Sequence, residues 1–186
     1  MERKKRVGVL ALQGDFEAHR NALERAGADA VEVRTAEELA RVQGLVIPGG
    51  ESTTMLKLLD VTGMLEPLRE FGKTKPIFGT CAGAILIAKK VTNPLQASLG
   101  LMDIEVERNA YGRQLDSRVV RLEPDGVEAV FIRAPIIRNV GSDAKVRMSY
   151  NGDPVWVEQG RHMVTTFHPE LGLDDRIHRT FLDKVE

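Results

Sequence analysis

Residues 76–88 read PIFGTCAGAILIA, and this stretch decides the fold. Residues 76–79 form a short apolar run of strand type, and residues 82–90 are predicted as a helix with Lys89 and Lys90 at its favourable C-terminal end. Between them lies Gly79-Thr80-Cys81-Ala82-Gly83, a cysteine with a glycine two positions away on each side. A sharp strand-to-helix turn holds its central residue in a strained conformation. The flanking glycines relieve crowding while the central side chain projects above the sheet edge. The backbone N–H of Ala82 then points into the same space, and the positive end of a helix dipole favours a thiolate there. A lone cysteine is most often a small buried core residue, but the G-x-C-x-G frame argues for a nucleophile on an elbow.

Outward from the elbow, the first half alternates strand and helix. Residues 6–12 (RVGVLAL) form a buried strand ended by Gln13-Gly14, and Asp15 is a plausible N-cap for a helix carrying Phe16, Ala22, Leu23 and Ala26 up to Gly27. Residues 30–34 are a second strand, Thr35 and Glu38 make a capping box, and residues 44–48 (GLVIP) are a third strand. Gly49-Gly50 follows, with Ser52 or Thr53 available to cap the next helix. Crossovers of this length imply a parallel sheet covered on both faces. Beyond Asn93-Pro94 the texture changes to short runs at 104–107, 118–122, 129–132, 146–150, 154–157 and 162–167, which read as antiparallel additions. An amphipathic helix over 174–185 closes the chain, with Ile177, Phe181, Leu182 and Val185 facing inward. The predicted fold class is α/β: a three-layer sandwich with a mostly parallel central sheet and antiparallel additions in the second half, in one domain over 1–186.

Composition narrows the function. The chain has 186 residues, 42% hydrophobic and 28% charged, with 26 Lys and Arg against 27 Asp and Glu for a net charge of -1. Nothing global draws it to nucleic acid or an anionic membrane. Aromatics at 5% leave little for base stacking. The apolar runs are far shorter than the roughly 20 residues of a membrane helix, and the start, MERKKR, leads into no export signal. One cysteine forms no intramolecular disulfide, which fits a reducing cytoplasm. It also builds no structural zinc site, and no Cys and His cluster has metal spacing, so the expected metal is none.

A thiol nucleophile needs a base. Of four histidines, His19 and His178 fall within predicted helices and His162 within a turn, where surface or half-buried positions are the ordinary expectation. His168 precedes Pro169 and Glu170 at the end of an apolar run. Proline holds the preceding residue extended, so His168 and Glu170 project from one side. The carboxylate then fixes the imidazole tautomer and leaves the other ring nitrogen for the thiol. The loop Pro48-Gly49-Gly50-Glu51-Ser52-Thr53 lets bare backbone approach a ligand. It lacks a Walker Lys, so an oxyanion donor at Gly50 beside that of Ala82 is its better use. As a tight helix-entry turn it would equally need no chemistry.

The segments LALQG (10–14), PGGESTT (48–54), FGTCAG (78–83), VERNAYGRQ (106–114), FIRAP (131–135) and FHPEL (167–171) resemble, in that order, the glutaminase-subunit family of pyridoxal 5'-phosphate synthases. The elbow and H-P-E are shared with class I glutamine amidotransferases in general, whereas V-E-R-N and F-I-R-A-P point to the vitamin B6 branch. The resemblance implies that Cys81 attacks the side-chain amide of L-glutamine, that His168 shuttles the proton, and that Glu170 orients His168. It implies Gly50 and Ala82 as oxyanion donors, and Gly49, Gly50, Glu51, Arg108, Ile132 and Arg133 as the glutamine site. Gln13 is placed near the oxyanion region and the partner contact. Ammonia would pass to a (β/α)8-barrel synthase subunit in a hetero-oligomer, in the cytoplasm, and this chain would need no cofactor. Two departures stand out: Gly172 where the family carries Thr, which leaves capping of the last helix to Asp174, and the compact stretch 90–101.

Three other readings compete. A deglycase-like cysteine-elbow protein would usually carry histidine directly after the cysteine, where this chain has Ala82. A non-catalytic subunit would hold an anion at Gly49-Gly50 and leave Cys81 inert. A glutaminase of another pathway differs only in its partner.

Overall fold

The computed structural model describes residues 3–110 and 117–186. Tyr111, Gly112, Arg113 and Gln114 of the VERNAYGRQ segment fall outside the described residues. The first half alternates β1 (Arg6–Leu10), α1 (Phe16–Arg25), β2 (Asp29–Val33), α2 (Ala36–Leu39), β3 (Gly44–Ile47), α3 (Ser52–Val61), α4 (Leu65–Thr74), β4 (Ile77–Thr80) and α5 (Ala82–Ile87). The second half holds β5 (Ala88–Thr92), β6 (Met102–Glu107), β7 (Ser117–Leu122), β8 (Val127–Ile132), β9 (Ile136–Val140), β10 (Lys145–Tyr150), β11 (Asp153–Gln159) and β12 (His162–Thr165). A 3-10 turn over Pro169–Leu171 and α6 (Arg176–Lys184) complete it.

The central sheet runs β10-β11-β12-β4-β3-β1-β2. Strands β2, β1, β3, β4 and β12 are mutually parallel, and β11 and β10 add antiparallel at one edge. A smaller sheet, β5-β6-β9, and the hairpin β7-β8 supply further antiparallel pairs. The fully apolar strands have their reason in burial on both faces. Leu45, Ile47, Ile77 and Val164 pack with Met55, Leu59, Leu68 and Leu86 from α3, α4 and α5. Val46, Phe78 and Met163 pack with Leu23, Ile177 and Phe181 from α1 and α6. Successive residues of one strand thus enter opposite layers, which makes the three-layer arrangement.

Several local expectations need correction. The helix predicted over 82–90 stops at Ile87, and Lys89 and Lys90 lie on β5. There they face Asp103 at 3.6 Å and Glu105 at 3.4 Å across the β5-β6 pair. Charges that suit a helix end suit a cross-strand pair equally well, and the partner strand begins ten residues beyond β5. Helix α3 is capped by Glu51, not by Ser52 or Thr53; its carboxylate accepts the N–H groups of Thr53 at 3.2 Å and Thr54 at 2.6 Å. Asp15 holds the N-cap position of α1 without a capping hydrogen bond. Asp174 accepts the Arg176 N–H at 3.2 Å, close to its expected role, while Asp175 occupies the N-cap position of α6. Helix α4 and strand β9 are additions to the sequence expectation. Pro67 masks α4, but it sits in the first turn, where a missing N–H removes no intrahelical bond.

Chain order and spatial order part company between β1 and β3: from β1 the chain goes first to β2 on one side and then to β3 on the other. In an open α/β sheet, ligands bind beyond the carboxyl ends of the strands at such a switch point. Gln13-Gly14, Gly49-Gly50, Cys81 and His168 all follow that edge, after β1, β3, β4 and β12.

Candidate active site

Cys81 sits between β4 and α5 with φ 50° and ψ -107°. A non-glycine residue there costs on the order of 1–3 kcal/mol, so the surroundings must impose it. They do: the Cys81 N–H donates to the Thr165 carbonyl at 2.9 Å, and the Cys81 carbonyl accepts from Ala84 at 3.0 Å. The flanking glycines are needed for space. A Cβ at Gly83 would stand 2.1 Å from the Ile47 carbonyl oxygen, and one at Gly79 would stand 2.5 Å from that of Gly83. Gly83→Ala is therefore expected to push α5 off β3 and lower stability by about 1–3 kcal/mol. That corresponds to a Tm drop of roughly 2–12 °C in a chain of this size, measurable by calorimetry. An unchanged Tm would mean that the contact relaxes freely.

His168 arrives from β12 with its N–H donating to the Val130 carbonyl at 2.8 Å. Its backbone before Pro169, at φ -105° and ψ 88°, falls short of the extended conformation expected there, and Glu170 returns through the 3-10 turn and not along an extended run. The two side chains still meet, with His168 Nδ1 2.6 Å from Glu170 Oε1, and Glu170 is buried. Burial opposes a charge on His168, yet hydrogen bonds to Cys81 and Glu170 and the charges of both outweigh it, raising the imidazole pKa to about 10. Activity that depends on the His168 proton should therefore persist well above neutrality and fall with a midpoint near pH 10, read from a kcat/KM profile. A limb near the ordinary 6.5 would contradict the pairing. The stabilising effect of this proton has the same sign: it is complete below the unfolded value of about 6.5 and is lost as pH rises through 10.

A cavity of about 300 Å³ is lined by Gly49, Gly50, Cys81, Ile132, Arg133 and His168, together with Asp15 and Leu171. Gly49 lies against Cys81 and His168, since a Cβ there would stand 2.5 Å from His168 Cε1 and 3.4 Å from Cys81 Cβ. Gly50 has φ 141° and packs on the Gln13 amide, whose Oε1 accepts the Glu51 N–H at 3.2 Å. Ala82, next to Cys81, is buried. Glu51 and Arg108 do not line the cavity; Arg108 Nη2 lies 3.4 Å from Glu51 Oε1 and 2.9 Å from Thr53 Oγ1, beside the glycine loop. A larger depression of about 840 Å³, around Arg3, Arg6 and Arg41 near the start of β1, contains no nucleophile. Among the described residues no His, Cys, Asp and Glu group could hold a metal, and no helix is long and apolar enough to cross a membrane.

The remaining histidines depart from expectation. His162 is buried, and it bridges β12 to β4 and α4 by accepting the Ile77 N–H at 3.1 Å and meeting the Gly72 carbonyl at 2.8 Å. Burial, with Arg161 and Lys184 nearby, pushes its pKa down to about 4 against the effect of those hydrogen bonds. His19 and His178, read as surface or half-buried, are wholly buried beside Glu170 and each other. No local sequence signal marks them, because their helices meet only in the folded chain.

A doubly covered sheet with a cysteine elbow and a His–Glu pair beyond adjacent strands defines the cysteine-dependent glutamine amidotransferase class. A solved structure described as a glutamine amidotransferase is 46% identical, has a TM-score of 0.89 and covers 96% of this chain and 97% of its own. The chain belongs to the SNO glutamine amidotransferase family, whose model matches residues 9–186. It is 60% identical to the pyridoxal 5'-phosphate synthase subunit PdxT of Solibacter usitatus (strain Ellin6076), over 97% of this chain and all of that protein. It is 55% identical to the protein of the same name from Koribacter versatilis (strain Ellin345), over 97% and 95%. The solved structure of PurLQS from Thermotoga maritima, 17% identical with a TM-score of 0.69 over 97% of this chain and 99% of its own, shares the fold.

Proposed function

We propose that the chain, acting as one glutaminase domain, hydrolyses L-glutamine to glutamate and ammonia as a subunit of a pyridoxal 5'-phosphate synthase. The observation that supports this best is Cys81 and His168 lining one cavity, with buried Glu170 bonded to His168, in a chain 60% identical to a pyridoxal 5'-phosphate synthase subunit. In this reading Cys81 attacks the side-chain amide carbon, and the N–H groups of Gly50 and Ala82 stabilise the oxyanion. His168 gives its proton to the departing amine, so the C–N bond breaks and a glutamyl thioester remains. Water then loses a proton to His168, attacks the thioester and releases glutamate and the free thiol. Glu170 keeps His168 oriented. Arg133 lines the cavity and Arg108 lies beside it, supplying positive charge for the substrate carboxylate, with Gly49, Glu51 and Ile132 completing the site. No step requires a metal or an organic cofactor. Ammonia passes to a (β/α)8-barrel synthase subunit, and the complex is cytoplasmic.

The glycine loop supports a means of control. Rotation of the Gly49-Gly50 peptide would supply or withdraw one oxyanion donor, a change worth about 100- to 1000-fold in rate. Gln13, packed on Gly50, lies where a docking partner could set that rotation. Glutamate release should be slow for the isolated chain and rise strongly on mixing with the barrel subunit, and Gly50→Ala should weaken that rise more than it weakens folding. Equal turnover with and without a partner shown to bind would refute this control. Absence of glutamate release in the assembled complex would refute the glutaminase reading itself.

A further inference from the structure

The second oxygen of Glu170 leads to two histidines that the chemistry above leaves unused. His19 Nε2, on α1, lies 3.3 Å from Glu170 Oε2 and 3.0 Å from the hydroxyl of Thr80, the residue before the nucleophile. His19 Nδ1 lies 2.9 Å from His178 Nε2, on α6. All four side chains are buried, and Phe78 closes the apolar side with its ring edge-on to both imidazoles. An unbroken run of contacts therefore leads from α6 through α1 and Glu170 to His168 and Cys81.

Both outer histidines are neutral. Burial first, then the neighbouring His178 and His168, hold His19 well below its ordinary pKa. Burial and Arg25 hold His178 at about 4 against the opposing charge of Asp175. The titratable and charged groups facing the pair are thus Glu170 and His168 on one side and Asp175, paired with Arg25 at 2.8 Å, on the other. Each ring carries one N–H, and the partners decide which nitrogen has it. If His19 carried its proton on Nδ1, a bare lone pair at Nε2 would face the Glu170 carboxylate. His178 would then hold its own proton on Nδ1, a buried atom with no hydrogen-bond partner. With the proton of His19 on Nε2, that N–H donates to Thr80 and lies 3.3 Å from Glu170 Oε2, a buried oxygen with no hydrogen-bond partner of its own, and His178 Nε2–H donates to His19 Nδ1. The unpartnered atom of His178 is then a bare nitrogen, which costs less than a stranded donor.

We propose that His19 is a positioning residue whose Nε2–H, 3.3 Å from the otherwise unpartnered Oε2 of Glu170, holds that carboxylate electrostatically in line with His168, and that His178 fixes the tautomer that makes this N–H available. The proposal rests on the glutaminase reading only for its kinetic arm, because alkylation of Cys81 reports the Cys81–His168 pair without turnover. His19→Leu removes the donor, and His19→Gln retains an N–H of similar reach. In the full chain assembled with its synthase subunit, His19→Leu should lower kcat for glutamine by about 10- to 100-fold with little change in KM. Its iodoacetamide rate profile should show the high-pH limb shifted down by about one unit or more. His19→Gln should recover most of both. A merely structural role would reduce the folded fraction and leave the pH profile of the folded protein in place. An unchanged profile in folded His19→Leu, with kcat lost only in proportion to folded protein, overturns the proposal. If His19→Leu does not fold, His178→Leu against His178→Gln decides. A lowered limb in the leucine variant alone supports the proposal, and identical profiles overturn it. A wild-type complex that releases no glutamate would defeat the functional reading while leaving the alkylation comparison intact.

Discussion

Replacing Cys81 with alanine is expected to reduce glutamate release by about 10⁴-fold or more, with the protein still folded. In the proposed mechanism the thioester has no other atom to form on. The cost to folding is small for reasons visible in the site: the thiol's contact with the Ile132 carbonyl is weak at 3.9 Å, its other partner is the His168 side chain, and alanine tolerates φ 50° no worse than cysteine. Serine keeps the shape but offers a hydroxyl that His168 must fully deprotonate, so it should be nearly as inactive. The measurement is glutamate formation by the complex alongside a thermal melt. More than a few per cent of residual activity in a clean Cys81→Ala preparation would remove Cys81 from the nucleophile role.

The second large effect lies in the order of damage along the proposed triad. His168→Asn should lose about 10²- to 10⁴-fold, because in the proposed mechanism both proton transfers pass through the imidazole. Glu170→Gln should lose less. Its amide oxygen can still accept from Nδ1, so orientation partly survives while the charge that helps hold the imidazole near a pKa of 10 disappears. The high-pH limb should therefore move down in Glu170→Gln even where activity remains. A Glu170→Gln protein as inactive as Cys81→Ala, with His168→Asn still active, would reverse the assigned roles.

The legible part of the site was the part written in contiguous residues. G-x-C-x-G carries its own steric reason, now traceable to the carbonyls of Ile47 and Gly83, and H-P-E places its carboxylate two residues from its imidazole. The alternation of apolar runs with helical segments was similarly readable, because strands buried on both faces and helices amphipathic on one have different periods. Where two elements satisfied the same local pattern, the reading failed. Lys89 and Lys90 would terminate a helix well, but the carboxylates of Asp103 and Glu105 sit across from them on β6. Glu51 outcompeted Ser52 and Thr53 as the cap because its longer carboxylate reaches two N–H groups at once.

By itself, the sequence determined the class of fold, the elbow, the His–Glu pair and the family, since each rests on residues adjacent in the chain or on ordered motifs spread along it. Only the tertiary structure decided which side chains stand behind that pair. His19 and His178 are separated by 159 positions and lie on helices whose local patterns predict ordinary surface or half-buried residues. They meet because α1 and α6 cover the same face of the sheet. Burial there removes water as a partner for their nitrogens, so they bond to what the fold brings near, Thr80 and each other, with Glu170 Oε2 3.3 Å from His19.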